Sequence, residues 1–208
     1  MTPQDTEHLA AHPLVAILRG VRPTEVVDIG REVIAAGIRT LEVPLNSPEP
    51  FDSIRLLVAE FGDEALIGAG TVLTAHDVQR TLEAGGRLLV SPNTDPGVIT
   101  YGSSAGAVCL PGFETASEAF TALAAGAIGL KLFPAEAKTP AYLKALKAVL
   151  PADTPVFPVG GISPETMPAW REAGAAGFGL GSGLYKPGMG AREVGDKARA
   201  YVAAFRDI

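Results

Sequence analysis

Short apolar runs recur along the chain: LVAIL at 14–18, TLEV at 40–43, ALIGA at 65–69, RLLV at 87–90, AVCL at 107–110, IGLKLF at 128–133, PVFPV at 155–159 and GFGLG at 177–181. Each has the length of a buried strand. The stretches between them are amphipathic and open with helix-start chemistry: Pro23-Thr24-Glu25, Ser47-Pro48-Glu49, Thr74-Ala75-His76-Asp77, Thr115-Ala116-Ser117-Glu118 and Ser163-Pro164-Glu165. Several close on an alanine and a glycine, as at Ala36-Gly37, Ala84-Gly85, Ala125-Gly126 and Ala173-Gly174, where glycine suits the left-handed residue that ends a helix. Alternating strands and helices require parallel strands joined by right-handed crossovers. About eight units of about twenty-five residues predict a (β/α)8 TIM barrel with a short N-terminal helix before residue 14, the whole of 1–208 forming one domain. The segment after Ala191 reads as a flanking addition. An open doubly wound sheet is the alternative, but GFGLGSG at 177–183 misses the dinucleotide-binding spacing of glycines.

Composition narrows the function. The chain has 208 residues, 47% hydrophobic and 19% charged, enough for a sizeable core in a compact soluble domain. A net charge of -6 without any basic cluster excludes a nucleic-acid surface and favours a small-molecule partner. Cys109 stands alone, so there is no internal disulfide, and between Val108 and Leu110 it reads as a buried structural thiol. The amino-terminal MTPQDTEHLAAHP lacks the apolar centre of a secretory signal, and no apolar run reaches membrane-spanning length. A cytoplasmic protein with no membrane partner is expected.

In a parallel barrel the reacting groups sit at the carboxyl ends of the strands. Following the runs in order, those positions hold Arg19, then Glu42 with Asn46 and Ser47, Gly70-Thr71, Ser91-Pro92-Asn93 and Pro111-Gly112. Lys131 lies inside the sixth run, and Gly160-Gly161 and Gly181-Ser182 follow the last two. Lys131 is the lysine that falls in a strand. It is either an ammonium paired in the core with a carboxylate, or an amine whose pKa burial lowers until it can attack a carbonyl and form a Schiff base. Glu42, between Leu41 and Val43, is either that pairing carboxylate or a general acid and base over a narrow barrel mouth. The two glycine pairs either make tight turns or offer backbone N–H groups to a phosphate. Arg19 forms a surface salt bridge or clamps a substrate carboxylate. Histidines occur only at positions 8, 12 and 76, and His8 and His12, though spaced by one helical turn, lie before the first strand without a zinc-protease glutamate. A solvated helix is expected there, with no metal and no cofactor.

From AILRG through LEVPLNSP, IGAGTVL, SPNTD, LPGFETASEAF, GLKLFPAE and VGGISPE to GLGSGLY, the chain resembles the class I 2-keto-3-deoxy-6-phospho-sugar-acid aldolases. The resemblance implies a small barrel that cleaves a phosphorylated keto acid to pyruvate and glyceraldehyde 3-phosphate and associates as a homotrimer. It implies Lys131 as the Schiff-base lysine and Glu42 as the general acid and base. It further implies Arg19 and Thr71 on the substrate carboxylate, Pro92 and Phe133 as apolar walls, and Gly160, Gly161, Gly181 and Ser182 on the phosphate. In the gluconate branch the glutamate strand typically reads LEVTLRT, and its arginine binds the carboxylate. Here that position is Asn46, and Val159 stands where threonine commonly precedes GGIS. LEVPLNSP is similar to the galactonate branch, which serves the phosphorylated De Ley–Doudoroff route and in which the first-strand arginine takes over. Asn46 and Val159 are therefore the expected specificity positions. A gluconate-cleaving or dual-specificity enzyme is the alternative. A sugar-phosphate isomerase or epimerase would use the same glycine cradle without needing a strand lysine.

Overall fold

The computed structural model describes residues 3–208, with side chains from Glu7 onward, and every apolar run contains a strand. Met1 and Thr2, part of the segment read for a signal sequence, lie outside the described residues. The strands are β1 (Leu14–Ile17), β2 (Thr40–Pro44), β3 (Leu66–Gly70), β4 (Leu88–Val90), β5 (Val108–Leu110), β6 (Gly112–Phe113), β7 (Leu130–Leu132), β8 (Val156–Pro158) and β9 (Phe178–Leu180). The helices are α1 (Pro3–Ala11), α2 (Pro23–Ala36), α3 (Pro50–Phe61), α4 (Ala75–Glu83), α5 (Pro96–Ser104), α6 (Ala116–Ala124), α7 (Pro140–Lys147), α8 (Met167–Glu172) and α9 (Ala191–Arg206).

All strand pairs are parallel, in a curled six-stranded sheet of order β5-β4-β3-β2-β1-β9 and a three-stranded sheet of order β6-β7-β8. This departs from the expected eight uninterrupted strands. The division falls at Pro111, which has no N–H to give a neighbouring strand. Its carbonyl still accepts the Lys131 N–H at 2.9 Å, and a single bridge between Val159 and Gly179 links the end of β8 to β9.

Successive strand side chains point to opposite faces, and the core divides accordingly. Val15, Leu66, Leu88, Val90, Val108, Leu110 and Phe157 cluster on the inner face of the curl. Leu14, Ala16, Leu41, Val43, Leu130 and Leu132 belong to the larger cluster that the helices cover. Glu42 lies between two residues of that outer layer and so does Lys131, so both project inward. Leu9 of α1 joins the inner cluster. The amino-terminal helix is thus not the solvated flank its histidines suggested: apolar burial docks it under the strands, and His8 Nε2 donates to the Arg39 carbonyl at 2.8 Å. Burial also lowers the pKa of His12.

Helix starts follow local chemistry. Thr74 and Thr115 accept from the Asp77 and Glu118 N–H groups, and both acids return a bond to the cap backbone. Asp95 and Thr139 cap α5 and α7, two starts that the sequence pattern did not single out. At Ser163 the chain makes a turn first, with the Ser163 N–H on Thr166 Oγ1, and α8 begins only at Met167. Among the described residues no helix is long and apolar enough to cross a membrane.

Candidate active site

The inner face carries the two ionisable groups where water is scarce. Lys131 is 4% exposed and Glu42 1%. They line one small interior space with Ile17, Leu110, Phe157 and Val159. Desolvation lowers the pKa of Lys131; the nearby charge of Arg19 acts in the same direction and that of Glu42 opposes it. Desolvation likewise pushes the Glu42 carboxyl up to about 7, against the pull of Lys131 and Arg19. No hydrogen bond joins the two among the described residues, and Glu42 Oε2 is buried without a partner. The core ion pair that the sequence left open is therefore not formed. The Lys131 amine lies 4.8 Å from the centre of the Phe133 ring.

Glu42 occupies space left by the neighbouring strand. A side chain at Gly70 would place its Cβ 1.8 Å from Glu42 Oε2. No atoms can approach so closely, so β3 must carry glycine where β2 presents its carboxylate.

The loops after β1 and β2 are joined twice. Arg19 Nη1 donates to Asn46 Oδ1 at 2.6 Å, and the Gly20 N–H donates to Ser47 Oγ at 2.9 Å. Arg19 thus takes an amide partner in place of the surface salt bridge considered from sequence. Ser47 serves this contact, and α3 starts later, at Pro50. Thr71, directly after β3, has φ of 57°, a costly conformation for a β-branched residue. Pro92 is half-buried beyond β4, its carbonyl packed against Gly112.

Above Lys131 a cleft of about 400 Å³ opens between the ends of β1, β7, β8 and β9. Arg19, Lys131, Phe133 and Val159 line it, together with Gly160, Gly161, Gly181 and Ser182. Glu42 lies in the interior space beneath, while Thr71, Pro92 and Asn46 are not on the cleft wall. Gly160 and Gly161 take φ of 107° and 66°, which glycine adopts without steric cost. The N–H groups of Gly161, Ile162, Ser182 and Gly183 have no protein acceptor among the described residues. Unpaired backbone donors on a cleft wall suit an anion.

Two cleft residues were missed by the sequence reading. Tyr201 reaches in from α9, donates its hydroxyl to the Ile162 carbonyl at 2.9 Å, and leaves room only for glycine at position 183. The helix treated as a flanking addition therefore holds the loops after β8 and β9 together. Glu136, in a 3-10 turn of Ala135–Ala137, also faces the cleft. Nothing marked Tyr201 except its amphipathic helix, whereas Glu136 stands in the same short motif as Lys131. Cys109 is 3% exposed, and burial pushes its thiol up to about 12, consistent with a structural role. Among the described residues no cluster of histidine, cysteine or carboxylate side chains could hold a metal ion.

A desolvated lysine and glutamate on the inner face of a parallel sheet, under a cleft that ends in glycine loops, define an aldolase fold. The chain belongs to the KDPG and KHG aldolase family, whose model matches residues 6–197. It is 49% identical over 195 residues to 2-dehydro-3-deoxy-6-phosphogalactonate aldolase of Escherichia coli (strain K12), an alignment that covers 94% of this chain and 95% of that protein. A solved structure described as native KDPGal has a TM-score of 0.93 at 49% identity, covering 94% of this chain and 95% of that one. A cube-shaped protein cage designed by fusing symmetric oligomeric domains matches with a TM-score of 0.92 at 48% identity, over 93% of this chain and 72% of that one.

Proposed function

We propose that this protein is a class I aldolase that cleaves 2-dehydro-3-deoxy-6-phospho-D-galactonate to pyruvate and D-glyceraldehyde 3-phosphate. The observation that carries the reading is Lys131: an amine 4% exposed, on the inner strand face, beside an unpaired glutamate and open to the cleft. Its lowered pKa makes the neutral amine available to attack the C2 ketone. The carbinolamine loses water to give an iminium. Glu42 takes the proton of the C4 hydroxyl as the C3–C4 bond breaks, the bonding electrons flow into the iminium, and the aldehyde departs from an enamine. The same carboxyl then protonates C3, and water releases pyruvate from Lys131. With its pKa raised to about 7, Glu42 can accept and return that proton near neutral pH.

Arg19 and Thr71 hold the carboxylate in this reading, and Pro92 and Phe133 keep water from the amine. Gly160, Gly161, Gly181 and Ser182 receive the phosphate. Asn46 sets the direction of Arg19 through its 2.6 Å hydrogen bond, and Val159 presents an apolar wall to the incoming aldehyde. In this reading the whole of 1–208 forms one domain and β5 and β6 count as one interrupted strand of a (β/α)8 barrel, which the bridge between Val159 and Gly179 supports. It works as a homotrimer, which the use of a similar chain in a cage of symmetric oligomeric domains supports. Its setting is the cytoplasm, in the De Ley–Doudoroff breakdown of galactonate, without nucleic-acid or membrane partners.

Borohydride reduction in the presence of pyruvate, followed by peptide mass spectrometry, tests the chemistry. Reduced pyruvate is expected on the peptide containing Lys131, and an unmodified Lys131 peptide would overturn the mechanism. The gluconate epimer shares the keto acid and the phosphate, so only contacts near C4 can discriminate. An apolar wall gives on the order of 1–3 kcal/mol. A coupled pyruvate assay on both epimers is expected to favour the galacto form, and a gluco preference would reassign the substrate to the alternative reading.

A further inference from the structure

The glycine loops of the cleft combine bare N–H groups with a neighbouring carboxylate. Glu136 sits five residues after Lys131 in the chain, on the turn that runs beside the loop after β8. A Cβ built on Gly161 would lie 3.0 Å from Glu136 Cβ and 3.4 Å from Glu136 Oε2, and one built on Gly160 would lie 3.7 Å from the same oxygen. Glu136 faces the same cleft as Gly161 and Ser182, and among the described residues it forms no ion pair. Nearby Glu165 is occupied by the Ser163 hydroxyl at 2.6 Å. The cations that line the cleft are Arg19 and Lys131, and among the described residues neither forms an ion pair with Glu136.

We infer that Glu136 is a charge guard on the phosphate end of the cleft, which weakens the hold on phosphate so that only substrate also anchored at Lys131 stays bound. The inference rests on the functional reading above. A phosphate seated on the Gly161 and Ser182 N–H groups carries nearly two negative charges at neutral pH and comes within a few ångströms of the carboxylate. Like charges so close repel where water screens them only in part. Substrate joined covalently to Lys131 presents its phosphate at a high effective concentration and overcomes that repulsion. Inorganic phosphate has no such tether. Glyceraldehyde 3-phosphate loses it when C3–C4 breaks, so the same repulsion promotes departure of the product and keeps free phosphate from occupying the site.

Calorimetric titration with inorganic phosphate tests this on the wild type, Glu136→Gln, Glu136→Asp and a cradle-blocking Ser182→Asp. At low salt Glu136→Gln is expected to bind phosphate on the order of tenfold more tightly than the wild type, and the ratio should shrink toward one as ionic strength rises. Glu136→Asp, which keeps the charge, should stay near the wild type, and borohydride trapping of pyruvate on Lys131 should be the same in both position-136 variants. Product inhibition by glyceraldehyde 3-phosphate should strengthen in Glu136→Gln in parallel. Unchanged or weaker phosphate binding by Glu136→Gln, or a gain that salt does not reduce, would overturn the guard alone. Phosphate binding that survives Ser182→Asp would overturn the cradle assignment, and the guard with it.

Discussion

The inner end of the site and its glycine-loop end are built on opposite principles. At the inner end, Lys131 and Glu42 are side chains fixed by strands, and burial is the largest cause that moves their pKa values toward neutrality. At the loop end, Gly160, Gly161 and their neighbours offer backbone N–H groups in a solvent-facing turn, and a tyrosine from a distant helix sets the spacing. In the proposed reaction, reactivity therefore depends on excluding water, whereas anion binding depends on aiming dipoles. The first should fail abruptly when a single atom is changed. The second should weaken by degrees.

The sharpest break in that contrast is Lys131→Met, which keeps length and removes the amine. Turnover should fall by on the order of 10⁴-fold or more, since the covalent step has no substitute. The folded state should survive or gain, because a buried amine whose charged form burial disfavours is replaced by an apolar chain. Burial lowers the folded pKa of Lys131, so the folded state binds fewer protons there than the unfolded chain. The stability cost of Lys131 relative to methionine should accordingly shrink as pH rises toward 10.5, the ordinary lysine value. Thermal melts across that range check the sign.

Glu42→Gln and Gly70→Ala should come next, each lowering turnover by roughly 10²-fold, the first by removing the proton carrier and the second by displacing it. Gly190→Ala is the control outside the cleft, since a Cβ there meets nothing within 4 Å and its φ of -73° suits any residue. Full activity in Gly70→Ala would show that the carboxylate does not depend on that vacancy. For stability, the folded pKa of Glu42 rises from 4.5 to about 7, so the folded state holds the proton longer than the unfolded chain does. The stability that the neutral acid contributes is complete below pH 4.5 and is lost as pH climbs to about 7. The Gln variant should gain on the wild type across that window by at most about 3 kcal/mol, measured by denaturant unfolding at several pH values.

The smallest effect is expected at Tyr201→Phe. Losing the bond to the Ile162 carbonyl should cost about 1 kcal/mol of stability. KM for the phosphorylated substrate should rise several-fold, while pyruvate trapping on Lys131 stays intact. A fall in trapping would mean that the two ends are not separable.

The same contrast explains what could be read from the chain before its fold was known. Lys131 and Glu42 were legible because a charged residue within an apolar run violates the local pattern. The glycine pairs could be read either as a phosphate cradle or as tight turns, since a sequence does not state whether an N–H group is already paired. The contact of Arg19 with Asn46 could not be read, because adjacency of two strand ends comes from the assembled sheet. Tyr201 was invisible for a similar reason: it crosses from the last helix to the loop after β8, a separation that no local period encodes. The interruption at Pro111 was written in the chain. Its effect on the strand depended on pairing geometry.

The vacancy at Gly70 has a bearing on protein design. Glu42 is not a one-residue feature that can be grafted onto any parallel sheet, for its carboxyl group fills volume that belongs to the adjoining strand. A scaffold given the acid alone would have to expel it or distort the backbone around it. The transferable unit is a glutamate together with a missing side chain on its neighbour, and a library varying one position while holding the other constant would explore combinations that cannot pack.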